Sequence, residues 1–416
     1  MADQQEAAPG RGGHRLSTRE TAERLGVKPE TVYAYVSRGQ LTSRRTPGSR
    51  GSTFDAKEVE ALARRVGRRE PATPGSELAI RTGITLIDRD HCYFRGVDTS
   101  ELAAHYSYEE VAEWLWTGEL RPGMRFTAPR DTLSATQRAV EALPAHSGPM
   151  DRLRVGVIAA AAADPLRFDL SEDTVVDIAR SLIPTLVDAL PPHTPKSPVD
   201  DALATRLWSR LTAEPATPEA LRVLDAALVL LIDHDLAAST LAVRVAASAR
   251  AHPYAIVSAG FGALDGVLHG AASGLAHRML AEVLDRGSAA AVVTDHLRAG
   301  RGVPGLGHPL YPGEDPRART LFRLLEDVPR AHLALQAARE VITTTARHTE
   351  LHANVDLALA VLTASTGMPT EAGETIFAIA RTAGWIAHAL EEYSESPLRL
   401  RPSGQYRGPR PPQRLP

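Results

Sequence analysis

The apolar residues of this chain recur mostly at helical rather than alternating spacing, and that pattern limits the fold more than any other feature. The stretch "IFAIARTAGWIAHAL", Ile376 to Leu390, is otherwise apolar and carries one full charge, at Arg381. A guanidinium in so apolar a helix is read as buried, and a buried guanidinium needs an anion. Alanine and leucine are abundant and aromatic residues make up only 5% of the chain. The expected fold class is all-α. At 416 residues the chain has room for two or three domains and a large core. The single cysteine, Cys92, has no partner for an internal disulfide, which fits a reducing compartment. There is no apolar signal core and no apolar run of membrane-spanning length, so a soluble, cytoplasmic protein is expected.

Charge divides the chain. Residues 1–70 hold 14 Lys and Arg against 9 Asp and Glu, and the remainder holds 33 against 41. A basic head on an acidic body suggests two modules with different partners. Residues 1–14 read as disordered. Ser17 and Glu20 have capping-box spacing, so a helix should begin at Thr18 and stop at Gly26. Pro29 suits the first turn of a second helix that Gly39 ends. On it Val32 and Val36 should face inward, leaving Lys28, Thr31, Tyr35 and Arg38 to face out. "LTSRRTPGSRGSTF" then reads as two short strands around a basic turn with Arg44, Arg45 and Arg50, and Asp55 with Glu58 caps a further helix.

The run Ala22-x-x-Leu25-Gly26-Val27-x-x-x-Thr31-Val32, followed by Gly39-x-Leu41, resembles the winged helix-turn-helix of the MerR and excisionase-like families over residues 15–66. That resemblance implies DNA as a partner. Lys28, Thr31, Tyr35 and Arg38 would enter a groove, and Arg44, Arg45 and Arg50 would reach phosphates. The alternative is a protein-docking or dimerising module. Residues 67–77 form a proline-bearing linker.

Beyond it, Ile84, Leu86 and Tyr93 give a short strand signal, helices should start near Thr99 and Ser107, and "LPPHTPKSP" is a surface loop. The candidate chemistry is scattered. His234 lies between Asp233 and Asp235 at the end of an apolar helical run. His269 and His308 sit beside glycines, in "HGAASGLAH" and "GLGHPLYPGEDPRA". Glycine beside a functional side chain suggests close approach of backbone to something else. Arg317 follows an acid and a proline, and Asp356 stands at the edge of "LHANVDLALAVL", where an N-cap is the plain reading. Three histidines and an acid could suggest a metal. Their spacing lacks the close pairs of helical metal motifs, however, and the arginines fit a dicarboxylate better than a cation. No metal is expected.

Taken in order, "ITLID", "FRGVDTSELA", "SYEEVAEWLWTGEL", "DHDLAAST", "GVLHGAA", "GLGHPLY", "DPRA", "NVDLALA", "ARTAGWIAHALE" and "RP…QY" resemble the citrate synthase family from about Leu78 to Tyr406. The resemblance implies condensation of acetyl-CoA with oxaloacetate and hydrolysis of the thioester. Acyl-CoA would be a substrate, and no cofactor is implied. Asp356 would be the base, His269 a donor to the thioester oxygen, and His308 the group that hydrogen-bonds and protonates the oxaloacetate carbonyl. His234, Arg317 and Arg381 would hold oxaloacetate, the paired arginines by bidentate geometry. Arg401 would reach the neighbouring subunit's site, which implies a homodimer. A large helical domain, residues 78–276 and 373–406, would carry a smaller one, residues 277–372, before a tail at 407–416.

The sequence departs from the family pattern at Leu231, where a histidine is common, at Pro309 and Pro312 in place of basic residues, and at Ser273 in place of asparagine. These departures keep open a 2-methylcitrate synthase using propionyl-CoA, and a transcription regulator whose synthase-like body senses a ligand.

Overall fold

The computed structural model describes residues 15–25, 27–37, 41–45, 52–66, 80–194, 201–266, 270, 272–402, 406–410 and 412–414. The expectations for residues 1–14, the linker, Arg38, Arg50 and His269 fall outside these, as does the side chain of Arg45. The chain divides into two compact units, Met1–Arg81 and Thr82–Pro416.

In the first unit, β1 (Arg15–Ser17), α1 (Thr18–Leu25), α2 (Pro29–Ser37), β2 (Ser43–Arg45), β3 (Ser52–Asp55) and α3 (Ala56–Val66) follow one another. The sheet is antiparallel in the order β1-β3-β2, with Leu16 opposite Phe54 and Arg44 opposite Thr53. Ser17 and Glu20 exchange backbone-to-side-chain bonds at 2.8 and 3.3 Å, which starts α1. Asp55 caps α3 by accepting from the Lys57 N–H, but Glu58 turns away to bond Thr42. The core is Ala22, Leu25, Val32, Leu41, Phe54, Val59 and Leu62. Tyr35, expected to face outward, packs against this core, and Tyr33 is the exposed aromatic of α2. Lys28 and Arg44 are exposed and Thr31 is half-buried.

The second unit opens with a hairpin sheet, β4 (Thr85–Asp88), β5 (His91–Phe94) and β6 (Val97–Asp98). The expected alternation is out of phase here. Ile84 is buried ahead of β4, but Leu86 is 58% exposed, and it is Cys92 and Phe94 on β5 that face the core. α4 (Thr99–His105) is capped by Asp98, and α5 (Tyr108–Thr117) by a capping box of Ser107 and Glu110.

Helices then succeed one another: α6 (Arg130–Glu141), α7 (Pro149–Ala163), α8 (Glu172–Ala189), α9 (Leu203–Leu211), α10 (Pro218–Leu230), α11 (Ala238–Ser248) and α12 (Pro253–Leu264). They continue with α13 (Ala272–Arg286), α14 (Ala289–Arg298), α15 (Pro316–Leu325), α16 (His332–Ala346), α17 (Val355–Ser365) and α18 (Ala372–Ser394). The 23 residues of α18 make a rod about 34 Å long. It packs against α5, α7, α8, α10, α11, α12, α13 and α17. Its apolar circumference is thus met on all sides, as a helix without a polar face requires. Among the described residues, no helix is long and apolar enough to cross a membrane.

One buried feature of this unit is titratable near neutrality. Glu109 of α5 is fully buried. Its Oε1 accepts from the Leu203 N–H at 3.0 Å and its Oε2 has no hydrogen-bond partner among the described residues. Burial, then the neighbouring Asp225, raise its pKa to about 7, against the opposing charge of Arg125. The folded state therefore holds this proton more tightly than the unfolded chain, and stability falls as pH rises from about 4.5 to about 7. Glu109→Gln should raise the stability at pH 8 by up to about 3 kcal/mol and change it little at pH 5. Thermal unfolding at the two pH values checks this.

Candidate active site

The site begins where α18 crosses the end of α10. Arg381, Gly384 and His388 lie on one face of α18, spaced as helical neighbours. A Cβ on Gly384 would lie 2.0 Å from the Ile232 carbonyl oxygen, so only glycine lets the helix approach this closely. The contact brings Arg381 Nε to the Leu231 carbonyl at 2.9 Å. It also fixes the segment that turns, with Asp235 in a left-handed conformation, to present His234.

The second component is the loop from Gly305 to Asp315. Gly305 has φ +80°, and a Cβ there would stand 2.7 Å from that of Leu357; Gly307 has φ +82° and lies against Leu351. These glycines meet protein. They let the loop turn and lie flat on the start of α17, so the close approach that the sequence suggests is one to protein. The loop is sewn down by Gly307 N–H to the His352 carbonyl at 2.7 Å, Asn354 N–H to the Gly305 carbonyl at 2.9 Å and the Asn354 side-chain amide to the Gly307 carbonyl at 2.8 Å.

Asn354, not Asp356, caps α17: its Oδ1 accepts from the Asp356 N–H at 3.0 Å. The Asp356 carboxyl is released from capping and stands half-buried in the first turn. Asp315 caps α15, accepts from the Val355 N–H at 3.0 Å, and holds Arg317 through Nε at 2.9 Å and Nη2 at 2.8 Å. One carboxylate thus joins the His308 loop, the start of α17 and the start of α15.

These components bring the rings of His234 and His308 edge to face, 4.9 Å between centroids. His234 Nε2 is 2.8 Å from the Tyr311 hydroxyl. His308 Nδ1 accepts from the Leu310 N–H at 3.2 Å, so the neutral ring carries its proton on Nε2. Both histidines are held neutral. Burial, then Arg317, bring His308 down to about 4 against the pull of Asp315. Burial, then Arg317, Arg381 and His308, take His234 well below its usual range.

Asp356 moves the other way. Burial raises it to about 6, with Arg317 opposing and Asp315 adding. Burial lowers Arg381 to about 10 and Asp233 partly restores it. Arg381 Nη2 is buried with no hydrogen-bond partner among the described residues, although the guanidinium also stacks on Phe377 at 4.5 Å. Asp233 acts on this charge through space, but no described side chain supplies Nη2 with a hydrogen-bonded acceptor. Burial alone would raise Asp315, but Arg317 outweighs it and keeps the carboxyl low.

The comparisons with known proteins decide the lineage. The family model described as "Citrate synthase, C-terminal domain" matches residues 76–403. A protein named citrate synthase from Haloferax volcanii is 31% identical over 359 residues, spanning 80% of this chain and 94% of its own. One named 2-methylcitrate synthase 2 from Corynebacterium glutamicum is 25% identical over 342 residues, 76% of this chain and 88% of its own. The crystal structure of citrate synthase from Thermotoga maritima superposes with a TM-score of 0.65 at 26% identity, over 83% of this chain and 98% of that one.

The chain belongs to the citrate synthase family. Of the residues that the citrate synthase resemblance singles out, His234, His308, Arg317, Arg381 and Asp356 share this one neighbourhood through the contacts and mutual electrostatic effects above. His269 lies outside the described residues. Arg401 is exposed after α18, with no hydrogen bond to the cluster from its side chain among the described residues. Arg317 spends Nε and Nη2 on Asp315, whereas Arg381 spends only Nε on Leu231, so of the two it is Arg381 that keeps its Nη1/Nη2 end for a bidentate contact.

Sequence reasoning passed over Tyr311, which braces His234, and His388, whose Nε2 is 3.2 Å from Asp233. It treated Asp315 only as the acid before Arg317. The signal for Tyr311 was its place three residues after His308. His388 had the same helical phase as Arg381, seven residues on.

Proposed function

We propose that this citrate synthase family enzyme condenses acetyl-CoA with oxaloacetate to give citrate and CoA. The observation that carries the reading is Arg381: a buried cation with an unpaired donor beside two neutral imidazoles, the setting in which a dicarboxylate would supply the missing acceptor. His234, Arg317 and Arg381 bind oxaloacetate. Asp356, brought up to about 6, takes a methyl proton from acetyl-CoA. His269 is assigned the hydrogen bond to the thioester oxygen as the enol forms. The enol carbon attacks the oxaloacetate ketone while His308 donates from Nε2 and protonates the new alkoxide. Water then cleaves the thioester and releases CoA. The acyl-CoA is a substrate, and no resident cofactor enters the scheme.

Residues 277–372 act as the smaller domain, closing on the larger to exclude water until condensation is complete. The active form is a homodimer in which Arg401 completes the neighbouring site, located in the cytoplasm. In the first unit, exposed Lys28 and Arg44 support a winged-helix head that binds DNA. A gel shift in rising salt tests that head, and the absence of salt-dependent affinity would remove it.

The 2-methylcitrate reading has the Corynebacterium relative in its favour. The two reactions separate by CoA release from acetyl-CoA or propionyl-CoA with oxaloacetate. We expect acetyl-CoA to have the higher kcat/KM. A preference for propionyl-CoA would establish the other donor, and no turnover with either would leave the regulator reading, in which the body senses a ligand.

A further inference from the structure

We propose that His388 is a positioning residue: it holds the Asp233 carboxylate off Arg381 and so keeps that guanidinium available for a carboxylate of oxaloacetate. The inference rests on the oxaloacetate reading above.

Asp233 and His388 are both fully buried. Asp233 Oδ2 accepts a hydrogen bond from the Thr85 hydroxyl of β4 at 2.5 Å and lies in ion-pair contact with His388 Nε2 at 3.2 Å. The imidazole is itself oriented from behind. Its Nδ1 lies 2.9 Å from Arg244 Nη1, and a guanidinium only donates, so Nδ1 accepts and the ring proton of the neutral form sits on Nε2, facing Asp233. Arg244 is in turn fixed by Glu391 at 2.6 Å and Glu392 at 3.1 Å, and Glu391 also accepts from the Gly83 N–H.

Three atoms are left over. Asp233 Oδ1, Arg381 Nη2 and His388 Nε2 are all buried and lack a hydrogen bond of good geometry among the described residues, His388 Nε2 reaching Asp233 Oδ2 as an ion-pair contact only. Asp233 and Arg381 are near enough to shift each other's proton affinity. A direct ion pair between them would satisfy the first two atoms, yet none forms among the described residues. The anchors on Oδ2 account for this: they hold the carboxylate toward β4 and the His388 side of α18, while Arg381 is held by the Leu231 carbonyl. With the anchors released, Asp233 would close on Arg381, and oxaloacetate would have to displace an intramolecular carboxylate. Acyl-CoA binding and proton transfer to Asp356 would be untouched.

The test uses the full chain with His388→Leu, His388→Gln and Thr85→Val. Gln retains a donor directed at Asp233 and Leu retains none. Oxaloacetate Kd is measured by calorimetry, and KM for each substrate and kcat by CoA release. His388→Leu should raise oxaloacetate Kd and KM roughly 10- to 100-fold, leaving acyl-CoA KM and kcat at saturation within about threefold. His388→Gln should recover most of that loss. Thr85→Val, at a half-buried strand position, should raise oxaloacetate KM about 3- to 10-fold, and it carries the test if His388→Leu does not fold. Unchanged oxaloacetate affinity in the folded variants overturns the inference, as does a parallel fall in kcat and both affinities that Gln does not rescue. In both of those cases the wild type still turns over and the functional reading survives. A wild type that binds no oxaloacetate overturns both.

Discussion

Replacing Asp356 by asparagine should lower kcat by about a thousandfold, within the range that a positioned general base contributes. Asparagine keeps the size and the backbone of the first turn of α17. Asn354, which caps that turn, is unaltered, so the stability should hold and the loss is one of chemistry. A carboxyl that merely capped the helix would give the opposite result, a shift in Tm with turnover retained. The wild-type pH profile offers a second readout. Burial brings Asp356 to about 6, and the base works only when ionised, so kcat/KM for the acyl-CoA should fall about tenfold per unit as pH drops below about 6. Asp356→Asn removes that limb. Steady-state CoA release between pH 5 and pH 8 checks both points.

Arg381→Leu should raise the oxaloacetate KM by roughly two to three orders of magnitude, because removing one partner of a buried charge-assisted contact costs about 2–5 kcal/mol. Arg381→Lys should recover little. An ammonium cannot at once reach the Leu231 carbonyl, stack on Phe377 and present a terminal donor, as the planar guanidinium does. Saturation curves for oxaloacetate at fixed acyl-CoA give the measurement. If both variants bind oxaloacetate normally, Arg381 is a core arginine and the anion site lies elsewhere.

Much of this could be read before the fold was known, and the parts that could not share a cause. The caps at Ser17 and Ser107 act over three residues, and sequence spacing reports them directly. The apolar circumference of α18 likewise requires burial wherever the helix goes. Strand β1 gave no such signal, since three residues become a strand only by pairing with β3. Leu86 was misassigned because alternation gives the period of a strand and not its phase, which the core behind β5 sets. Gly305 and Gly307 show a similar limit: a glycine announces a close approach without naming the neighbour, here Leu357 and Leu351.

The chain alone determined the helical class, the two charged modules and the family, and it named the side chains proposed for the condensation, because residue type, periodicity and motif order are properties of the string. Only the tertiary structure decided how those groups behave. Burial makes the two histidines neutral and lifts Asp356, and Asp315 engages Arg317 while Arg381 keeps a buried Nη2 with no hydrogen-bond partner among the described residues. Desolvation and charge proximity act between atoms remote in sequence, and no local pattern encodes distances across a folded core.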